Sequence, residues 1–124
     1  MAIKKENNNE FILTIKSKAI VSLEDMLNGL KYLQQNNDLP RNLKILEDAR
    51  KSKITFDMND VDILIKNMNL SMQNFNKIMH AVIHDSPKNT ALSMLVERKS
   101  INTNYKLMTF STKEAALDWL NNVK

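Results

Sequence analysis

The densest group of chemically reactive side chains in this 124-residue chain lies in the stretch IHDSPKNTA, residues 83–91. It places His84, Asp85 and Ser86 side by side, the residue types that a hydrolase combines when a histidine base activates a serine nucleophile. Such a serine needs a tight turn that exposes its hydroxyl, usually built with glycines, and the only glycine here is the distant Gly29. A serine before a proline is also typical of a helix N-cap. Two interpretations therefore stay open: a hydrolase or transferase that uses His84 and Ser86, and a helix start.

The two histidines, His80 and His84, stand four residues apart, a spacing that suits a shared metal ion only on a helix. They belong to the apolar run KIMHAVIH, and on a strand two such residues are separated by about 13 Å. We expect His84, at the strand end, to be the more exposed of the two. Asp57, Asp60 and Asp62 lack the glycine and the distal glutamate of a calcium loop. Without cysteines or a glycine-rich phosphate loop, we expect neither a metal site nor a nucleotide cofactor.

The overall composition restricts the class of protein. With 43% hydrophobic and 26% charged residues, the chain matches one ordinary soluble domain. Its net charge is +4, but the lysines are scattered among acids and only 6% of residues are aromatic. Nucleic-acid binding needs a clustered basic patch, so we expect no nucleic-acid partner. The absence of cysteines and of any long apolar run predicts a cytoplasmic protein without a membrane span.

The elements that would position these side chains follow from an alternation of short β-rich runs and longer segments with helical spacing. The runs that predict strands are residues 11–16, 43–49, 77–84 and 105–110. Residues 19–22, AIVS, either extend the first strand or form a short second one. Helices are predicted to begin at Ser22, at Asp57 or Asn59, and at Ser86, with a last one after residue 110. The order predicts one α/β domain over residues 10–124, with a four- to five-stranded, mostly parallel sheet and about four helices. The polar segment KKENNNE predicts a flexible tail over residues 1–9.

Three segments carry a resemblance to a known family. LKILEDARKSKITFDMNDVDIL, IHDSPKNTALSML and MTFSTKEAALDWL look like successive strand-to-helix units of the STAS/SpoIIAA-like superfamily, founded on bacterial anti-sigma-factor antagonists. The resemblance implies a SpoIIAA-like fold and a regulatory role through protein–protein interaction. In the antagonists a serine is phosphorylated at the helix start that here reads FDMNDVDI. Asn59 and Asp60 stand at that place and no serine or threonine follows before Ser71, so the phosphorylation switch is not expected.

A candidate binding site follows from the predicted topology, because ligands of open parallel sheets bind beyond the carboxyl ends of the strands. The candidate residues at that edge are Asp48, Arg50, His84, Asp85, Ser86 and Lys88. Our first hypothesis is a non-enzymatic module in which Arg50, Ser86 and Lys88 bind an anionic group of a small ligand or protein partner. Asp48 and His84 would then set the polarity of the site.

Besides the binding module and the hydrolase or transferase that uses His84 and Ser86, a third hypothesis is a carrier of an apolar, lipid-like ligand. It rests on methionines at apolar positions and predicts an internal cavity lined by Met and Leu side chains. They are Met68, Met72, Met79, Met94 and Met108. An open edge of the sheet would also permit a homodimer.

Overall fold

The computed structural model describes residues 2–6, 10–101 and 103–122. The strands are β1 (Ala2–Glu6), β2 (Glu10–Lys16), β3 (Ile20–Val21), β4 (Asn42–Asp48), β5 (Lys53–Ile54), β6 (Lys77–Ile83) and β7 (Tyr105–Phe110). The helices are α1 (Leu23–Gln35), α2 (Val61–Ser71), α3 (Pro87–Lys99) and α4 (Lys113–Asn122), with short 3-10 turns at Met58–Asp60 and Met72–Asn74. The predicted α/β domain is confirmed.

The main sheet has the strand order β1-β2-β4-β6-β7 among the described residues. β2, β4, β6 and β7 run parallel, and β1 pairs antiparallel with β2. Each parallel strand lies beside its predecessor, and crossovers of this kind are right-handed as a rule. The helices α1, α2 and α3 therefore cover the same face of the sheet. The residues of α4 pack against the alternate strand positions, on the opposite face.

The N-terminal segment differs from the flexible tail that we predicted for residues 1–9. Ala2–Glu6 forms β1, with Ala2 opposite Thr14 and Glu6 opposite Glu10 on β2. Without β1, the outer backbone N–H and C=O groups of β2 would form an open edge, and pairing satisfies them whatever the side chains of β1 are. The rest of the predicted tail, residues 1 and 7–9, lies outside the described residues.

A second, two-stranded sheet lies beyond the carboxyl ends of β2 and β4. Its strands are β3 and β5, with Ile20 opposite Lys53 and Val21 opposite Ile54. The segment AIVS thus contains a separate short strand, and its partner β5 lies outside the runs that predict strands. The hydroxyl of Ser52 also donates to the carbonyl of Lys18 at 2.7 Å. These bonds join the two segments that leave the sheet into a small roof at its carboxyl edge.

Apolar side chains hold both helix layers on the sheet. The layer under α1, α2 and α3 includes Leu13, Leu30, Leu33, Leu43, Ile45, Val61, Leu64, Met68, Ile78, Leu92 and Val96. The layer under α4 includes Ile12, Leu46, Met79, Ala81, Ile83, Ala116 and Leu120. The predicted helix starts at Ser22 and Ser86 are confirmed, since each hydroxyl accepts a backbone N–H of its first turn. Asp57 caps the 3-10 turn that precedes α2.

The outer side of β7 is the second edge of the main sheet. Its Thr109 N–H donates to Oε2 of Glu97 on α3 at 3.0 Å, and its Tyr105 N–H donates to the hydroxyl of Thr103 at 3.3 Å. Side chains that take up edge donors in this way reduce the tendency of a strand to pair with another chain. A homodimer formed through a sheet edge stays a prediction.

Candidate functional site

A row of buried polar side chains crosses the face of the sheet under α1, α2 and α3. Glu47 and His80 are each 8% exposed and Tyr105 is 2% exposed. The Nδ1 atom of His80 lies 2.7 Å from the Tyr105 hydroxyl, and its Nε2 atom lies 2.7 Å from Oε1 of Glu47. The hydroxyl of Ser17 donates to Oε2 of Glu47 at 2.7 Å. Ser17 directly follows β2, where its N–H donates to the carbonyl of Asp48 at 3.0 Å.

The register of the strands explains why these side chains meet. Ile45 on β4 pairs with His80 on β6, while Ile78 on β6 pairs with Tyr105 on β7. Side chains alternate between the faces of a sheet, so Glu47 shares the face of Ile45, and His80 that of Ile78. From β7 to β6, and again from β6 to β4, the polar residue therefore lies two positions closer to the carboxyl edge of the sheet. The result is a diagonal row across three parallel strands.

The hydrogen-bond partners assign the protons in this row. Burial, together with the nearby charge of Glu47, raises the pKa of Tyr105, so its hydroxyl stays protonated and forms a hydrogen bond with Nδ1 of His80. An ionised carboxylate can only accept, so Nε2 of His80 carries a proton and donates to Glu47. Burial alone would raise the pKa of Glu47, but the hydrogen bond and electrostatic interaction with His80, the hydrogen bond from Ser17 and the interaction with His84 outweigh it and hold that pKa below its ordinary value. Glu47 is therefore a buried carboxylate that stays ionised near neutral pH.

A cavity of about 250 Å³, which we call the α1 cavity, lies between α1 and the sheet. Its polar floor is the row just described. Its apolar walls include Val21, Met26, Leu30, Leu33, Leu64 and Met68. The exposed residues Lys16 and Lys18 also line it, which places its opening beside the end of β2. At this opening the Lys18 ammonium lies 2.8 Å from a carboxylate oxygen of Asp25.

Gly29, the only glycine in the chain, lies in the middle of α1 and lines the same cavity. A Cβ atom added at this position would have no neighbouring atom within 4 Å. Glycine in a helix interior destabilises the helix by about 0.5–1 kcal/mol relative to alanine. No turn or packing contact requires glycine at this place, but its missing side chain leaves space open in the cavity.

A smaller cavity, of about 60 Å³, lies on the carboxyl-edge side of Glu47. Glu47 and His80 line it too, together with Ser52, Ser93 and His84. His84 is only 6% exposed, against our expectation that it would be the more exposed histidine. The reason is the roof of β3 and β5, whose residues Val21 and Ile54 also line this cavity. Burial lowers the pKa of His84, and its Nδ1 atom has no hydrogen-bond partner among the described residues.

The acids and bases predicted at the carboxyl edge bind one another. Arg50 donates to the carboxylate of Asp48 through Nε at 3.0 Å and through an NH2 group at 2.9 Å. The guanidinium of Arg50 therefore holds the pKa of Asp48 below its ordinary value. The carboxylate of Asp85 accepts the backbone N–H of Lys51 at 3.1 Å. Lys51 has a φ of 68°, in the left-handed region that favours glycine.

The other predicted site residues lie around the start of α3. The hydroxyl of Ser86 accepts the Asn89 N–H at 3.2 Å as the N-cap of the helix. Lys88, in the first turn, is exposed and lines a surface groove with Met58 and Met94. His84 points away from this surface into the small cavity. An anion site formed by Arg50, Ser86 and Lys88 stays a prediction.

Glu47, Tyr105 and Ser17 were absent from the predicted site. A signal for Glu47 was present in the sequence, because Leu43, Ile45 and Glu47 occupy alternate positions of one strand. A charged residue on the same buried face of a strand as two aliphatic residues must either form an ion pair or hydrogen bonds, or line a site. No comparable signal exists for Ser17, whose place depends on how the chain leaves β2.

Comparison of the chain with protein-family models, curated proteins and solved structures found no match. The resemblance to the STAS/SpoIIAA-like superfamily accordingly stays a prediction.

Within residues 2–6, 10–101 and 103–122, no helix is long and apolar enough to cross a membrane. In the same part of the chain, no three or more His, Asp or Glu side chains are grouped so that they could hold a metal ion.

Proposed function

We propose that this protein is a non-enzymatic binding module that holds a small, largely apolar molecule in the α1 cavity. The observation that carries the proposal is the cavity itself, which has about 250 Å³ of space between α1 and the sheet. An apolar cavity of about 150 Å³ accepts a benzene-sized molecule, and pockets for drug-sized ligands begin at about 300 Å³. The expected ligand is therefore a single ring or a short alkyl chain with few polar atoms.

The position of Gly29 supports this function. Alanine would stabilise α1 and would fit without a clash, yet the helix carries glycine where a side chain would enter the cavity. A residue that costs helix stability and leaves space beside a polar floor is expected at a binding site. The same feature has no use in a core that is packed only for stability.

The arrangement of the polar row favours binding over serine-based catalysis. In a catalytic triad the histidine lies between the serine and the acid, so that it can take the proton of the serine. Here Glu47 lies between Ser17 and His80, and both donate to it. The hydroxyl of Ser86, the other candidate nucleophile, is engaged in the N-cap of α3. The bonds of both serines thus support a structural or ligand-binding role.

The test is a titration of the full chain with benzyl alcohol, a neutral one-ring compound, followed by two-dimensional 1H–15N NMR. We expect the largest amide shifts in α1 and at Glu47 and His80, together with a rise in the melting temperature. Native mass spectrometry of protein purified from cells should in addition show a retained small-molecule mass.

A pair of variants on α1 makes the test specific. Gly29→Phe fills the cavity and should abolish the benzyl alcohol shifts, whereas Asn28→Phe places the same ring on the exposed neighbouring position and should preserve them. Equal binding by both variants, or shifts confined to another surface, would refute the proposed function.

A further inference from the structure

The charged groups around the α1 cavity are distributed unevenly. Glu47 is the buried acid of its floor, while Lys16, Lys18 and Asp25 lie at its opening. Lys18 is already paired with Asp25 at 2.8 Å. The floor therefore presents a buried carboxylate to the cavity, and the two lysines that line the cavity, Lys16 and Lys18, are exposed.

The carboxylate of Glu47 has capacity left for a ligand. A carboxylate offers about four lone-pair sites on its two oxygens. One oxygen accepts from Nε2 of His80 and the other from the hydroxyl of Ser17. His80 acts as the donor toward Glu47, because an ionised carboxylate can only accept. These two bonds occupy about half of the acceptor sites of the carboxylate, and the remaining sites are available to a ligand.

We propose, on the basis of the function given above, that the ligand is a small primary amine whose ammonium group binds Glu47 and whose apolar body fills the α1 cavity. A buried charge is stable chiefly when it is paired, so an ammonium group replaces the lost hydration of the carboxylate. A ligand carboxylate would meet the like charge of Glu47 in a poorly solvated space and is excluded. The floor thus selects the head group, and the walls select the size of the body.

The experiment compares three one-ring compounds of similar size on the full chain at pH 7.5: benzylamine, benzyl alcohol and benzoate. Dissociation constants come from the NMR shifts of the amides that line the cavity. Because a hydrogen bond to a charged group is stronger than a neutral one, we expect benzylamine to bind roughly tenfold more tightly than benzyl alcohol. Benzoate should not bind in the cavity.

Two variants attribute this preference to Glu47. Glu47→Gln keeps the size of the side chain and an acceptor oxygen, and it should reduce the preference for benzylamine to within about twofold of benzyl alcohol. Asp118→Asn removes one exposed negative charge from α4, on the opposite face of the sheet, and should leave the preference unchanged. If Glu47→Gln does not fold, the comparison of the three compounds on the wild-type chain still decides the proposal.

The outcomes separate the two proposals. Equal binding of benzylamine and benzyl alcohol, or tighter binding of benzoate, would overturn the amine assignment and leave the binding function standing. Failure of all three compounds to shift the cavity amides would overturn both. A preference for benzylamine that persists in Glu47→Gln would show that another group recognises the ammonium and would overturn the role of Glu47.

Discussion

The hydroxyl of Tyr105 lies 2.7 Å from Nδ1 of His80, in a part of the core where neither residue is more than 8% exposed. This bond holds the imidazole ring so that its Nε2 atom, on the other side, donates to Glu47. A hydroxyl on β7 thus helps to position a donor to the acid on β4. A substitution at Tyr105 should therefore alter the hydrogen bonding of Glu47 at the floor of the α1 cavity.

Tyr105→Phe removes this hydroxyl and keeps the ring. We expect the free energy of unfolding to fall by about 1–2 kcal/mol, because Nδ1 of His80 then lacks its buried hydrogen-bond partner. Urea denaturation followed by circular dichroism measures the change. Tyr32→Phe is the matched control: Tyr32 is exposed, its hydroxyl accepts from the side-chain amide of Asn36, and a change within about 0.5 kcal/mol is expected. Equal losses in the two variants would contradict the assigned bond.

His84 predicts how stability depends on pH. Its pKa in the folded chain lies below the ordinary value of 6.5 because of burial, so the unfolded chain binds more protons just below pH 6.5. The free energy of unfolding should therefore fall as the pH is lowered from 7 to 5. Glu47 adds a separate loss at lower pH, because its contribution is complete above its ordinary pKa of 4.5 and disappears below its lowered folded value.

His84→Gln separates these two effects. The variant should flatten the dependence of the urea midpoint between pH 7 and pH 5 and keep the loss below pH 4.5. An unchanged slope between pH 7 and pH 5 would assign that dependence to another group.

The fold and the site could be predicted from the sequence to different degrees. Alternating β-rich and helical runs indicate the four parallel strands and their helices, because each pattern is local. The sequence did not predict β1, because polar residues of this kind occur both in edge strands and in flexible tails. The strand forms because it pairs with the otherwise open edge of β2, which is not a local property of the segment. Glu47 carries a local signal, but its contact with His80 depends on strand order and register, which no short segment contains. Burial of His84 depends likewise on the pairing of β3 with β5.

Lys51 offers a test of backbone strain at the carboxyl edge. Its φ of 68° destabilises the folded state of an ordinary residue by about 1–2 kcal/mol, and glycine avoids this strain. Glycine also makes the unfolded chain more flexible, which destabilises the folded state by about 0.5–1 kcal/mol. Lys51→Gly should therefore leave the free energy of unfolding unchanged or raise it by up to about 1 kcal/mol. Lys66→Gly, at an exposed position in α2, should lower it by about 1 kcal/mol. Urea denaturation of both variants checks the contrast, and a comparable loss at both positions would argue against the left-handed backbone.

Gly29→Ala tests the space in the α1 cavity independently of any ligand. Because nothing lies within 4 Å of the added Cβ atom, the substitution should raise the free energy of unfolding by about 0.5–1 kcal/mol through helix propensity alone. Gly29→Leu should raise it at least as much, since its side chain fills apolar space beside Met26 and Leu30. Thermal and urea unfolding measure both changes. If either substitution destabilises the chain, α1 packs closer to the sheet than described here, and Gly29 is then required for packing and not for an open cavity.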